Sequence, residues 1–378
     1  MASIRCFIYS MLAPAGLWLL AGIPVTTAAP VPTPAGEVAG MIETAQGQMD
    51  QARVAVEGFR EAVRSWCRQP EQESPDELRR AWLSMMRAWE KTEAWFVGPL
   101  TENREARRNR IHSWPLAQDC MVDREVLKTG DDRTAMPANP AAFGLSALEY
   151  LAYKNPPEFA CPQALPDTPR WYALTAADRY AAHCRYTLLI ADGLHGDLTR
   201  LQESAAGWSS ALAGTDENGV LHEFGFAFAY LRDFVLGMKL EKATRATKDC
   251  THVNCVEFPA SGASLDALDA NLSSLHDLWQ TFASALQGHS EEGALLAGKI
   301  AILWDQAGAT LAELSGGPTL GERAAAMPFQ GCSIPDSAAD AELCRFYEEV
   351  EALSQAIVGE ALPVLGIDIP VRVTGDSD

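Results

Sequence analysis

The chain lacks the short motifs that mark the common nucleotide-binding and hydrolytic sites. No GxGxxG, GxxxxGK[ST], HExxH or GxSxG pattern occurs in its 378 residues. The dinucleotide-binding, P-loop and zinc-protease signatures are therefore missing. A Ser-His-Asp triad stays open, because its members need not be neighbours in sequence. The seven histidines are spread singly along the chain, and this spacing favours packing or surface roles for them.

Basic residues are also scarce, with 30 Lys and Arg against 50 Asp and Glu and a formal net charge of −20. Such a chain is too acidic to bind nucleic acid by neutralising phosphates, or to adhere to an anionic membrane. Apolar residues make up 48% of the chain, which excludes a disordered polymer. The acidity favours solubility and cationic ligands.

Long hydrophobic runs are missing beyond the first thirty residues, so no later segment predicts a membrane helix. The start of the chain combines one cation, Arg5, with an apolar stretch over Phe7–Ile23 and small residues before Pro30. This pattern predicts a signal peptide at residues 1–28, cleaved after Ala28, and therefore a periplasmic protein. The alternative is an uncleaved N-terminal anchor. No cysteine follows the apolar stretch at a lipoprotein-like position, so we expect no lipid anchor and no stable membrane insertion after cleavage.

Removal of the signal would take away Cys6 and Arg5 but no acid, which leaves a net charge of about −21 and eight of the nine cysteines. An even cysteine count in an exported chain predicts disulfides. Proximity along the chain favours the pairs Cys161–Cys184, Cys250–Cys255 and Cys332–Cys344, and leaves Cys67–Cys120. A metal site at Cys250, His252 and Cys255 is the alternative for one pair, although no second ligand pair lies nearby.

Helical periodicity dominates the rest of the sequence. Apolar residues recur every three or four positions from Val38 to Trp66, and Ser74–Glu77 has the pattern of a capping box. Further helices are predicted at 143–153, 175–201, 221–246, 264–286, 291–315 and 337–362; only 367–373 alternates like a strand, and Pro370 weakens that pattern. We expect an all-α protein of about eight to ten helices in two packed bundles, at residues 37–210 and 211–378, after a flexible leader at 29–36.

Two segments carry chemistry that the helical background does not explain. Arg110, His112 and Trp114 combine a cation, an imidazole and an aromatic ring just before Pro115. Glu149 lies among apolar residues of the Phe143–Leu151 segment, with Ser146 one turn before it on the same face. Glu90 and Glu93 form a second same-face pair of carboxylates. Arginines at 104, 107, 108 and 110 form a basic patch that we expect to pair with the protein's own carboxylates.

A buried carboxylate must be paired, hydrogen-bonded or metal-bound. These residues could therefore bind a cation, with Glu149 and His112 as metal ligands, or they could bury an Arg–Glu pair. We favour the buried Arg–Glu pair, which would be a structural contact, over the metal site.

The sequence resembles the imelysin-like family of bacterial envelope proteins. The resemblance rests on an ordered series of segments, each weak alone: Trp82, Trp89, Glu93 and Gly98-Pro99; Arg110–Pro115; Gly144–Tyr150; Glu257–Ser261, Ser264-Leu265 and Asn271-Leu272; Leu365-Gly366; and the acidic tail Gly375–Asp378. The resemblance implies an all-helical fold of two related bundles with a site between them. It also implies a reported peptidase activity or a link to iron acquisition.

The family signature GxHxxE is incomplete in this chain. Gly144 and Glu149 match it, but Ser146 stands where the family has a histidine. Serine is a weaker transition-metal ligand than imidazole and cannot act as a base near neutral pH. A metallopeptidase activity is therefore disfavoured, whereas a binding role for Glu149 survives.

Three hypotheses follow from the sequence. The leading one is a noncatalytic periplasmic binding protein of iron or metal physiology. Its site would be lined by Arg110, His112, Trp114, Ser146 and Glu149, and its ligand would be iron, another divalent metal ion or a small cation. The second is an envelope protein-interaction module with a protein partner. The third is an imelysin-type peptidase.

Overall fold

The fold is built from helices whose bounds follow their caps and breakers. The computed structural model describes residues 35–70, 74–129, 136–137, 139–154, 158–244, 256–327, 332 and 338–369. The helices of the first half are α1 Ala35–Trp66, α2 Asp76–Ala94, α3 Glu102–Ile111, α4 Asp119–Lys128, α5 Leu145–Tyr153, α6 Asp167–Ala173 and α7 Ala176–Leu212. Those of the second half are α8 Glu217–Gly225, α9 Phe228–Tyr230, α10 Glu241–Thr244, α11 Ser264–His289, α12 Glu291–Ser315, α13 Leu320–Ala326, α14 Ala338–Ser354 and α15 Leu362–Val364.

Two π-helical segments make longer continuous helices. Leu231–Leu240 joins α9 to α10, and Gln355–Ala361 joins α14 to α15. No strand occurs within these described ranges, which include the first three residues of the 367–373 segment; the others lie outside them. The all-α prediction is confirmed, with additional short helices such as α6 between the predicted ones.

Side-chain caps define several helix starts. Thr175 accepts a hydrogen bond from the Asp178 amide at the start of α7, and Thr319 and Glu322 form a reciprocal capping box on α13. The capping box predicted at Ser74–Glu77 does not form, because the Ser74 hydroxyl accepts a hydrogen bond from the Asp76 amide at 3.3 Å and Pro75 occupies the N-cap position.

The buried apolar residues form two clusters. The first contains Phe59, Trp82, Trp89 and Trp171, and draws mainly on α1, α2, α5 and α7. The second is centred on α9, α11, α12 and α14 and contains Trp279. Helix α2 packs on both α1 and α11 and supplies residues to both clusters. A boundary at residues 210/211 stays a prediction.

Three disulfides join the described cysteines: Cys67–Cys184, Cys120–Cys161 and Cys332–Cys344. The predicted Cys332–Cys344 pair is confirmed, whereas Cys161–Cys184 and Cys67–Cys120 are wrong. Helix α1 packs along α7, which brings Cys67 to Cys184 although 117 positions separate them. The predicted pair Cys250–Cys255 and its metal-site alternative with His252 lie outside the described residues.

Over the residues that the structure describes, no helix has both the length and the apolar character that a bilayer span requires. This agrees with the absence of a second long hydrophobic run in the sequence.

Candidate functional site

Six ionisable side chains meet in the interior, where the helix α2 passes between the two apolar clusters. We refer to this group as the buried charge cluster; its members are Glu90, Glu93, Arg108, His112, Lys239 and Glu257. None of the six residues is more than 6% exposed. Because isolated charges are costly in such a place, each must be neutralised by its neighbours.

The first ion pair of the cluster joins α3 to α2. Arg108 Nε lies 2.6 Å from Glu93 Oε1, and the guanidinium stacks 4.1 Å above the Phe234 ring. The Tyr230 hydroxyl donates to Glu93 Oε2 at 3.0 Å. Glu93 is thus held by a cation on one oxygen and by a hydroxyl on the other. The structure therefore contains a buried Arg–Glu pair, formed by Arg108 rather than by Arg110.

Lys239 lies on the π-helical segment Leu231–Leu240 and neutralises the carboxylates of Glu90 and Glu257. Its Nζ donates to Glu90 Oε2 at 2.6 Å and lies 2.7 Å from Glu257 Oε2. Lys239 also donates to Asn271 Oδ1 at 2.8 Å, and the Asn271 amide donates to Glu90 Oε2 at 2.9 Å. Lys239 therefore donates two hydrogen bonds and lies at ion-pair distance from a third acceptor, so protein groups neutralise this ammonium.

His112 completes the cluster at the C-terminal end of α3. Its Nδ1 lies 3.3 Å from Glu93 Oε2, and its Nε2 lies 3.3 Å from Glu257 Oε1. The imidazole stacks on the Phe258 ring at 5.2 Å with an interplanar angle of 10°. The ring is therefore clamped between carboxylates from α2 and from the loop before α11.

The carboxylates differ in electrostatic environment. Burial and the nearby Glu257 carboxylate raise the pKa of Glu90 to about 7, against the attraction of Lys239. Burial also raises the pKa of Glu257. Burial alone would raise the pKa of Glu93 as well, but the Arg108 guanidinium and His112 outweigh it and hold that pKa well below its usual range. Of the three carboxylates, Glu93 is thus the one whose ionised form its neighbours favour most.

Glu90, Glu93 and His112 present donor atoms within 4.8 Å of one another, which is close enough for a metal ion. However, Lys239 and Arg108 already contact these carboxylates at ion-pair distance. A metal ion would have to displace or approach these cations inside a packed interior. The contacts fit a structural ion cluster better than a metal centre.

A second polar site, the Glu149 pocket, opens beside α5. The pocket has a volume of about 60 Å³, and Trp114, Asp119, Ser146 and Glu149 line it with neighbouring loop residues. The Ser146 Oγ is buried and has no hydrogen-bond partner among the described residues. The pocket can hold several waters or a partly hydrated ion, because one water needs about 10–15 Å³ of such space.

Glu149 joins α5 to the loop before α11. Its Oε1 accepts hydrogen bonds from the Ser261 amide and the Ser261 hydroxyl, both at 2.7 Å. Burial raises the pKa of Glu149 to about 7 despite these bonds, and burial likewise raises the pKa of Asp119 in the same pocket. The Trp114 indole donates to the Val256 carbonyl at 3.2 Å, and Lys242 lies 5.0 Å above its ring.

The residues predicted from sequence fall into three separate places. Trp114, Ser146 and Glu149 line one pocket, whereas His112 joins Glu90 and Glu93 in the buried charge cluster. Arg110 lies in neither place: it pairs with Asp197 at 2.7 Å and stacks on Phe143.

Sequence reasoning missed several members of these sites. Arg108 was visible only as one arginine of the basic patch, and Asp119, Tyr230 and Lys239 carried no signal. Glu257 and Asn271 belonged to segments of the family resemblance, but nothing assigned them to a site.

The protein is therefore an all-helical protein that holds a buried charge cluster between two apolar clusters. The sequence model of the imelysin family, peptidase M75, matches residues 45–357. The chain belongs to this family. A search of curated protein sequences returns no match.

Two solved structures share the fold. An imelysin-like protein from Psychrobacter arcticum 273-4 is 16% identical with a TM-score of 0.61, and the match covers 90% of this chain and 99% of that one. A "putative iron-regulated protein A precursor" from Parabacteroides distasonis ATCC 8503 is 13% identical with a TM-score of 0.57, over 85% of this chain and 96% of that one.

Proposed function

We propose that this chain is an exported, noncatalytic member of the imelysin family that binds a metal cation in the Glu149 pocket. One observation carries the proposal. The buried Ser146 hydroxyl has no hydrogen-bond partner among the described residues, and it shares a pocket with the carboxylates of Glu149 and Asp119. A buried hydroxyl without a partner is costly, and a bound cation or its water would satisfy it.

The donor set selects the kind of cation. Ser146, Glu149 and Asp119 offer only oxygen atoms, which hard cations prefer, whereas the imidazole of the family signature would suit softer transition metals. The negative charge of the protein increases the local concentration of any cation. Iron is a natural first candidate, because one structural neighbour is described as iron-regulated.

The noncatalytic part of the proposal rests on the surroundings of Ser146. A serine nucleophile needs an adjacent base within hydrogen-bond reach. No group among the described residues accepts a hydrogen bond from the Ser146 Oγ, and Glu149 accepts bonds from Ser261. Export is supported by the signal-like N-terminal sequence and by the three disulfides.

Calorimetry on the chain without residues 1–28 tests the proposal. We expect saturable binding of at least one of Fe²⁺, Mn²⁺, Ca²⁺ and Zn²⁺, and about tenfold weaker binding in Ser146→Ala and Asp119→Asn. Asp305→Asn, on the exposed face of α12, is the matched control and should bind like wild type. Absence of cation binding by wild type, or equal binding by both pocket variants, would refute the site. Cleavage of an unfolded protein substrate by the purified chain would refute the noncatalytic part.

A further inference from the structure

A larger cavity lies beside the end of α2 and belongs to neither site described above. It has a volume of about 240 Å³, and its lining includes Phe96, Glu223, Phe226, Asp233 and Ile369. We name it the Phe96 pocket. It shares no lining residue with the Glu149 pocket. Its size far exceeds that of a bare ion and approaches the roughly 300 Å³ at which pockets for drug-sized ligands begin, so it admits a small organic molecule.

Glu223 on α8 is held in a fixed orientation at this pocket. Its Oε1 accepts a hydrogen bond from the Trp208 indole at 3.1 Å and a second from the Gly98 amide at 3.3 Å. Two neutral donors do not cancel the negative charge of a carboxylate. The pocket therefore presents a charge whose position is set by the fold before any ligand arrives.

Asp233 supplies a second carboxylate from the π-helical segment Leu231–Leu240. Its side chain is 15% exposed, and both of its oxygens accept hydrogen bonds from Arg232, Nε to Oδ1 at 2.7 Å and Nη2 to Oδ2 at 3.2 Å. Among the described residues that line the pocket, Glu223 and Asp233 are acidic and none is basic; because Arg232 offsets the charge of Asp233 from outside the wall, Glu223 is the main anionic group. π-helical turns occur often at functional sites, because the wider turn re-aims the side chains around it.

The remaining walls are aromatic and apolar. The Phe96 ring packs against the rings of Phe234 at 5.4 Å and Tyr230 at 6.1 Å, which fixes its place. Phe96 also has a φ angle of 36°, in the left-handed region that a bulky residue rarely adopts. The surrounding structure must hold this conformation against its cost, and doing so places the aromatic side chain at the pocket.

We propose that the Phe96 pocket binds a small organic cation, a primary ammonium attached to one aromatic ring or a short apolar chain. The Glu223 carboxylate would receive the ammonium group through a charge-assisted hydrogen bond, and Asp233 would add negative charge beside it. The walls formed by Phe96, Phe226 and Ile369 would cover the apolar part. A neutral analogue would give the Glu223 carboxylate no cationic ligand, and an anion would be repelled.

Calorimetry with phenethylammonium as the probe tests this inference, with 2-phenylethanol and phenylacetate as its neutral and anionic counterparts. We expect saturable binding of phenethylammonium, at least tenfold weaker binding of the alcohol, and no binding of the acid. Glu223→Gln retains an acceptor oxygen for Trp208, and Asp233→Asn retains the shape of the wall. Each should weaken phenethylammonium binding about tenfold, whereas the exposed Asp305→Asn should not change it.

The comparison of probes on wild-type protein keeps the test decisive if a variant folds poorly. Equal affinities for the ammonium and the alcohol would overturn the proposal, as would unchanged affinity in both pocket variants. Ser146→Ala should bind phenethylammonium like wild type. The result for this pocket is therefore independent of the result for the Glu149 pocket.

Discussion

The Arg108 guanidinium lies 2.6 Å from the Glu93 carboxylate, and both side chains are buried. This pair ties α3 to α2 next to the junction of the two apolar clusters. Burying two charges is expensive, so their contact adds little net stability compared with apolar residues of the same shape. Its importance lies in what happens when one partner is lost.

We expect Arg108→Met to destabilise the fold by about 3–5 kcal/mol, because Glu93 would remain buried without its cation. The double variant Arg108→Met/Glu93→Gln should recover a large part of this loss. Urea unfolding of the single and double variants measures both effects. Arg87→Ala breaks the exposed pair with Asp266 and is the matched control, with an expected cost of at most about 1 kcal/mol. A similar small cost for Arg108→Met would contradict the central role of the pair.

His183 should make stability depend on pH. It is buried, and its Nε2 lies 2.8 Å from the Leu151 carbonyl. Burial lowers its pKa to about 4, against about 6.5 in an unfolded chain. The folded state therefore binds fewer protons than the unfolded state between these values, and stability is lost as the pH falls from about 6.5 to 4.

The expected loss from His183 is roughly 3 kcal/mol, from about 1.4 kcal/mol for each unit of pKa difference. His183→Gln retains a donor toward Leu151 but does not titrate, so its unfolding free energy should fall less between pH 7 and pH 4. His222→Gln, at an exposed position on α8, should keep the wild-type profile. Parallel pH profiles for wild type and His183→Gln would argue against a depressed pKa.

Gly144 precedes α5 at a point where a side chain cannot fit. Its φ angle is +86°, and a Cβ would lie 2.5 Å from the Ile111 carbonyl oxygen. We expect Gly144→Ala to cost at least about 2 kcal/mol, since strain and a backbone clash add. Gly207, exposed within α7, has open space where a Cβ would lie, so Gly207→Ala should stabilise by about 0.5–1 kcal/mol. Thermal unfolding of both variants measures the two changes in stability. Equal changes for Gly144→Ala and Gly207→Ala would contradict the close approach of Gly144 to the Ile111 carbonyl.

The disulfides should differ in how much each contributes to the free energy of unfolding. Cys67–Cys184 closes a loop of 117 positions and Cys332–Cys344 a loop of 12. Loop-closure entropy predicts that replacing both cysteines of a pair by serine costs about 5 kcal/mol for the first and about 3 kcal/mol for the second. Chemical denaturation measures the difference in unfolding free energy between the two double-serine variants.

The disulfide connectivity can be tested separately. Peptide mapping without reduction should recover Cys67 linked to Cys184 and Cys120 linked to Cys161. Cys67 linked to Cys120 would contradict the structure.

The sequence predicted the helices well because helical periodicity is a local property. The apolar spacing from Val38 to Trp66 lies within the observed α1, and the burial of Glu149 could be inferred from its apolar neighbours on α5. Its partner, Ser261, lies 112 positions away and could not be inferred. Periodicity states which face of a helix is buried but not what covers that face.

The choice between Arg108 and Arg110 shows the same limit at a finer scale. Two residues along a helix differ by about 200° in direction, so these arginines point to opposite sides. Arg108 reaches Glu93 in the interior, whereas Arg110 reaches Asp197 on α7. Both orientations agree with the sequence, and only the packing of α3 selects one.

The sequence by itself determined that the chain is helical, which residues form the apolar seams, and that Glu149 must find a partner inside. The tertiary structure alone decided those partners. Glu90 and Lys239 are 149 positions apart, and their contact depends on α2 packing near the π-helical segment. Local periodicity cannot encode such a pairing, because it arises from the relative placement of whole helices and not from the properties of any one of them.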